Sequence, residues 1–265
     1  MLKRTLYRFL IELTNHKLTS KLLMKFSQSS LSKSIIPSYS KAYKLNWSEV
    51  ERNQKDFGTL HELFIRKLKQ GTRPIQEGEH VVCSPVDAVY EESGTIAADA
   101  SITVKGKDYS IEEMLGDHDV LQKYIGGTYV LLYLSPSHYH RIHAPITGEV
   151  VRRWSLGKNS YPVNHMGMKY GKAPLSKNYR LVTELKHAMG SIAVVKVGAM
   201  FVNSIEITNE SSHLIKGEEF SYFSFGSTIV LLFEKNTFKL NASLIPHSEV
   251  KYGEALGEIK VNQIL

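Results

Sequence analysis

The spacing of apolar residues changes near residue 80, and the change divides the chain. Upstream, Leu2, Leu6, Phe9, Leu10 and Leu13 recur at helical intervals, with Lys3, Arg4, Arg8 and Glu12 mostly off that face. Thr19 or Ser20 would cap a second short helix carrying Leu22, Leu23 and Phe26, so residues 1–27 read as helical. The Ser-rich stretch 27–40, with Pro37, predicts a loop or linker. Residues 47–69 predict one or two helices that end at Gly71, with Pro74 beyond. Downstream the texture becomes short β-rich segments with turn residues between them: 81–91, 95–105, 128–134, 147–155, 179–186, 191–207, 217–234, 236–242 and 256–261. Segment 110–116 reads as a helical insert. Short strands at this spacing predict a barrel-like or sandwich core. The expected fold class is α+β, with an N-terminal helical region at 1–75 and a β-rich body at 76–265.

Charge sharpens that division. Residues 1–48 hold nine Lys and Arg against Glu12 alone, so this region carries +8 of a formal net +7, and the other 217 residues sum to −1. A basic charge confined to one end predicts an anionic partner for that end. Cations on one side of a helix and Leu and Phe on the other suit a membrane interface; an amphipathic helix docked on the body fits the same pattern. No basic patch interleaved with aromatics indicates nucleic acid. No stretch approaches the roughly 20 apolar residues of a membrane span, and Lys17, Lys21 and Lys25 interrupt any secretory pattern. Cys83 is the single cysteine, so no intrachain disulfide is expected.

Three segments hold the candidate chemistry. Ser84-Pro85-Val86-Asp87-Ala88 puts an acid at a strand–turn junction. Ser135 to Pro145 holds His138, His140 and His143 within six residues. Gly226-Ser227-Thr228 leads into the apolar run Ile229 to Phe233. Taken singly, a buried Asp is commonly a turn residue and Gly-Ser in a strand commonly a bulge. The histidines suit general acid–base work, and His-x-His is also a zinc pattern, although no further ligand cluster accompanies it. His138 reads as a surface or packing residue. A backbone cut that leaves a ketone on Ser227 would turn a residue with no electrophile into a carbonyl cofactor.

In order and at matching spacing, Phe57 to Ile75 (FGTLHELFIRKLKQGTRPI), SPVDA, YHRIHAP, Tyr161-Pro162-Val163-Asn164, Val197 to Ile205, and Lys216-Gly217-Glu218 through FGST resemble the phosphatidylserine decarboxylase family in its short bacterial-type form. The resemblance covers most of the chain from residue 57 onward. Phe225 stands where the family often has Leu, Ala88 where it has Gly, and His138 where many members have an acid; none of these departures removes a reacting group. The resemblance implies that Asp87, His143 and Ser227 form a charge-relay set for self-cleavage between Gly226 and Ser227. It also implies a β chain 1–226 and an α chain 227–265 that begins with a pyruvoyl (pyruvate) cofactor derived from Ser227. That group would form a Schiff base with phosphatidylserine and release CO2, with His140 protonating the carbon to give phosphatidylethanolamine; a competing assignment exchanges the two histidines. Further implied are a heterodimer of the two chains that dimerises again, no metal, and a peripheral place on the cytoplasmic face of the cell membrane. Two other classes remain open from the residues: a serine hydrolase using Ser227, His143 and Asp87 uncut, which lacks the G-x-S-x-G elbow, and a non-catalytic membrane-binding module.

Overall fold

The computed structural model describes residues 17–163, 167–168, 171–199, 205–224 and 227–260. The expected helical face Leu2 to Leu13, together with Asn164, Met200 to Ser204 and the Phe225-Gly226 pair, lies outside the described residues.

Helix α1 (Lys17–Gln28) opens the described chain. The Ser-rich stretch is not a loop: a 3-10 turn, Ser30–Ile35, runs into α2 (Ile36–Ala42), where Pro37 sits in the first turn. Proline is suited to that place because its missing N–H would have no helical partner there. The helices expected over 47–69 shrink to a 3-10 turn at Gln54–Asp56 and α3 (Leu60–Phe64), with the chain otherwise folded back so that Val50 bridges Leu68. Capping explains the breaks. Asn53 and Asp56 close a capping box, and Thr59 accepts the Glu62 N–H, so polar residues restart the chain every few positions.

The body then alternates strands and short helices. Strands β1 (Val81–Cys83), β2 (Ala88–Thr95), β3 (Ser101–Val104) and β4 (Lys107–Ser110) lead to α4 (Ile111–Leu115), the expected insert, and to α5 (His118–Tyr124), which the pattern missed. After these come β5 (Thr128–Leu134), β6 (Arg141–His143), β7 (Gly148–Leu156), α6 (Pro174–Lys177), β8 (Arg180–His187) and β9 (Gly190–Gly198). The chain continues through β10 (Ile205–Ile207), β11 (His213–Leu214), β12 (Glu219–Phe223), β13 (Ser227–Phe233), β14 (Phe238–Leu240), β15 (Ser248–Val250) and β16 (Ala255–Ile259). Three expected strands, 81–91, 191–207 and 217–234, are each divided, and 95–105 shortens to β3.

Eight strands form one antiparallel sheet in the order β11-β7-β8-β9-β13-β5-β2-β15, which stays open at its edges. The α+β expectation holds, as a sandwich and not a closed barrel. One face packs on two small sheets, β10-β12-β6 and β1-β16-β14, through Leu132, Val194, Leu231, Ile142, Phe220 and Leu256. The other face is covered by α4, α5 and the β3–β4 hairpin through Leu131, Val195, Leu232, Met114, Leu121 and Tyr109. Because both faces are covered, every residue of the central strand β13 is buried, and its sequence is a continuous apolar run after Ser227-Thr228. The N-terminal region keeps a separate small cluster: Ile36, Leu45, Val50, Phe57 and Leu63.

Candidate active site

Ser227 is the first residue of β13, paired with Leu134 of β5 on one side and Gly198 of β9 on the other. It shares a face with Ile229 and Leu231, so its side chain points toward the small sheets. Its Oγ is fully buried and has no hydrogen-bond partner. Strand β6 pairs with β12, and the Phe223 N–H donates to the His140 carbonyl at 3.0 Å. Two cross-strand pairs, Ser227–Leu134 and Phe223–His140, therefore close one short loop that contains residues 135–139 and the peptide bond before Ser227.

His140 and His143 lie three residues apart in different surroundings. His140 is wholly buried, its ring centroid 4.0 Å from that of Phe64 on α3. Its Nδ1 lies 2.8 Å from the His138 carbonyl. A carbonyl only accepts, so the proton sits on Nδ1 and the Nε2 lone pair is free, and Nε2 has no partner. Burial, with the Arg66 guanidinium adding to it, holds this imidazole well below its ordinary pKa and keeps it neutral. In His143 both nitrogens are engaged: Nδ1–H donates to the Gly217 carbonyl at 3.0 Å, and Nε2 accepts from the Tyr139 hydroxyl at 3.2 Å. The Tyr252 ring stacks on it at 3.7 Å and 15°. Burial lowers its pKa to about 4.

Asp87 is brought to the same segment by backbone pairing, since the Cys83 N–H donates to Pro145 and the His143 N–H to Pro85. Its carboxylate hydrogen-bonds to neither histidine. It takes a forked pair from Arg73, Nε at 3.0 Å and Nη2 at 2.7 Å, and the Tyr252 backbone N–H at 2.9 Å. His138 shapes the loop, accepting the Ser135 N–H on Nδ1 at 3.1 Å. Among the described residues no three His, Cys, Asp or Glu converge as a metal-binding group.

Residues that sequence reasoning passed over complete the site. Arg66 donates to the carbonyls of Ser137 and His138, at 2.6 and 3.0 Å, and the Arg141 Nε–H reaches the Ile65 carbonyl at 2.9 Å. A cavity of about 410 Å³ opens beside this loop, lined by Lys44, Arg66, Arg73, Asp87, His138 and Tyr139 among others. Arg66 and Arg73 lie in the Phe57 to Ile75 segment singled out above, and Tyr139 between the histidines, so position in those motifs could have pointed to them. Tyr252, in the turn between β15 and β16, carries no such signal.

The family model of phosphatidylserine decarboxylase matches residues 60–258. The chain is 56% identical over 255 residues to the phosphatidylserine decarboxylase proenzyme of Geobacillus sp. (strain WCH70), covering 96% of this chain and 98% of that one. It is 58% identical over 252 residues to the proenzyme of Anoxybacillus flavithermus (strain DSM 21510 / WK1), at 95% of each chain. With the proenzyme of Geobacillus kaustophilus (strain HTA426) it shares 54% over 256 residues, at 97% of each.

Proposed function

The chain belongs to the phosphatidylserine decarboxylase family, and we propose that it cuts itself between Gly226 and Ser227 and then converts phosphatidylserine to phosphatidylethanolamine and CO2. The observation that carries the first step is a pair of complementary orphans. Ser227 Oγ is a buried donor with no acceptor, and His140 Nε2 is a buried acceptor with no donor. Ser227 opens β13 and His140 immediately precedes β6, so both stand at the cross-strand pairs that close one short loop.

In this reading Ser227 Oγ attacks the Gly226 carbonyl carbon while an imidazole takes the hydroxyl proton, and the peptide nitrogen becomes the amine of an ester. Loss of the Ser227 Cα proton expels the Gly226 carboxylate, and one water then converts the resulting enamine to a ketone and ammonia. The products are chains 1–226 and 227–265. They stay together because β13, the first strand of the small chain, is hydrogen-bonded on both sides to β5 and β9 of the large one. A ketone suits the place, since Ser227 Oγ gives up no hydrogen bond on conversion. The pyruvoyl group supplies a carbonyl that takes up the substrate amine and draws electrons from the bond to CO2.

The family resemblance gives His143 the first step and His140 the second. The pairs around the two rings support the reverse: His140 has the free lone pair, whereas His143 must first give up the Tyr139 hydroxyl. The Lys44, Arg66 and Arg73 side chains lining the cavity suit the phosphate and carboxylate of the net anionic serine headgroup, and Asp87 suits its ammonium.

Substrate in a bilayer also accounts for α1. Leu22 is 60% exposed, with Leu23 and Phe26 exposed beside Lys25, so this apolar face is not buried against the body, and Leu31 in the following 3-10 turn is 73% exposed beside it. That favours a lipid-facing helix and a peripheral position on the membrane, on the cytoplasmic face that the family resemblance implies. No helix among the described residues is long and apolar enough to cross a membrane.

Intact mass under denaturing conditions tests the reading. A small species of about 4–5 kDa, from roughly 110 Da per residue over the small chain's 39 residues, with a blocked N-terminus, is expected. A single species of 30.0 kDa that persists on incubation overturns it. His140→Ala should stay whole while His143→Ala cuts; the opposite result restores the order the resemblance implies.

A further inference from the structure

We propose that Tyr252 is a positioning residue that couples Asp87 to His143 in place of a direct carboxylate–imidazole hydrogen bond. The inference rests on the reading that His143 serves one of the two chemical steps.

Three separate groups of Tyr252 converge on this task. Its backbone N–H donates to Asp87 Oδ1 at 2.9 Å. Its ring lies 3.7 Å from the His143 ring and 15° from parallel. Its hydroxyl donates to the Gly217 carbonyl at 3.2 Å, the same oxygen that receives His143 Nδ1–H. The stack fixes the plane of the imidazole, and the shared carbonyl fixes its tautomer and rotation. Asp87 in turn fixes the turn that carries Tyr252, and is itself held by the fork of Arg73.

The turn is built to keep that residue in place. Gly253 has φ +90, and a Cβ there would come within 2.6 Å of the Pro74 carbonyl oxygen, so only glycine fits. The Gly253 N–H donates to Ser84, and the Gly253 carbonyl accepts from Gln76. Tyr252 is thus clamped by its neighbour to the SPVDA segment on one side and the end of the N-terminal region on the other. Apart from the backbone bond of His143 to Pro85, Tyr252 is the residue among those described that bonds to Asp87 and stacks on His143.

The test is a double-mutant cycle with a titration. The groups facing His143 are Tyr139, Tyr252, Glu219, Arg141 and Asp87, and burial among them keeps its pKa near 4. Tyr252→Leu should slow, by roughly a hundredfold, whichever step His143→Ala impairs. Tyr252→Phe keeps the stack and should lose about tenfold or less. In the uncut Ser227→Ala chain, the NMR titration midpoint of His143 should rise toward its ordinary value in Tyr252→Leu and hold in Tyr252→Phe. The Asp87→Ala and Tyr252→Leu losses should fall well short of adding, because one acts through the other. Additive losses, or a Tyr252→Leu protein with unchanged rate and titration, overturn the coupling. A His143→Ala protein that completes both steps normally overturns the functional reading instead.

Discussion

The N-terminal region and the β body are held together by different physics. The body is a sandwich with two thick apolar layers, one on each face of an eight-stranded sheet. Among the described residues the N-terminal region keeps a cluster of five buried apolar residues. Its polar attachment to the body, among the described residues, is concentrated at the loop of the candidate site: Tyr39 to Pro136, Arg66 to Ser137 and His138, Arg141 to Ile65, and Arg73 to Asp87. At this joint the Phe64 ring also packs on His140, the candidate base itself. Apolar burial makes the scaffold, and directional bonds make the joint. A disturbance of the joint should therefore reach the site before it reaches the fold.

Core truncation gives the largest contrast. Leu231→Ala, in the middle of the central strand, should cost about 2–5 kcal/mol of global stability and lower the melting temperature of the whole protein. Leu63→Ala removes the same atoms from the small cluster. Its cost should show as faster amide exchange confined to residues 36–73, with β5, β9 and β13 still protected. Equal loss of protection in β13 would mean that the two regions unfold as one.

Acid should act next, and at the joint. His143 is held near 4 and His140 well below its ordinary value, so both are neutral where an unfolded imidazole is charged. As pH falls below about 6.5 the unfolded chain binds protons that the folded chain refuses, and stability declines until the folded pKa is passed. For His143 alone the loss is on the order of 3 kcal/mol between pH 6.5 and 4. Glu49 is depressed by its bond to Arg73, so its contribution is present above its ordinary pKa and goes only as pH falls through the lowered one. Thermal melts of the uncut Ser227→Ala chain from pH 7.5 to 4 read this, and His143→Phe should flatten part of the slope. Stability that stays level down to pH 4 would contradict the buried neutral histidines.

The same contrast separates what the sequence revealed from what it hid. Strands 128–134 and 229–233 were legible because a buried central strand is a long apolar run, and the segments around Asp87, His140, His143 and Ser227 stood out as motifs. The helices expected over 47–69 failed because Trp47, Val50, Phe57 and Leu60 meet through turns and a Val50–Leu68 bridge, which imitate helical spacing without a helix. Helix α5 was missed because only Val120, Leu121 and Tyr124 are buried in its seven residues, too few to set a period. Partners that act across space leave no local pattern, which is why Tyr252 was invisible from its own neighbourhood.

The smallest effect on stability should come from the exposed face of α1. Replacing Leu22, Leu23 and Phe26 together with Gln removes no core contact, so the melting temperature should move by no more than surface substitutions usually allow, about 0.5 kcal/mol. Partition onto anionic vesicles should nonetheless fall by tenfold or more, on the order of what withdrawing apolar side chains from an interface costs. Lys25→Gln should weaken binding about fivefold on anionic vesicles, the worth of one cation near a charged surface, and leave neutral vesicles unaffected. Removing residues 1–27 should add the two losses. Unchanged partition after that removal would mean that the basic end meets something other than lipid, and the joint, not α1, would then have to bring the substrate to Ser227.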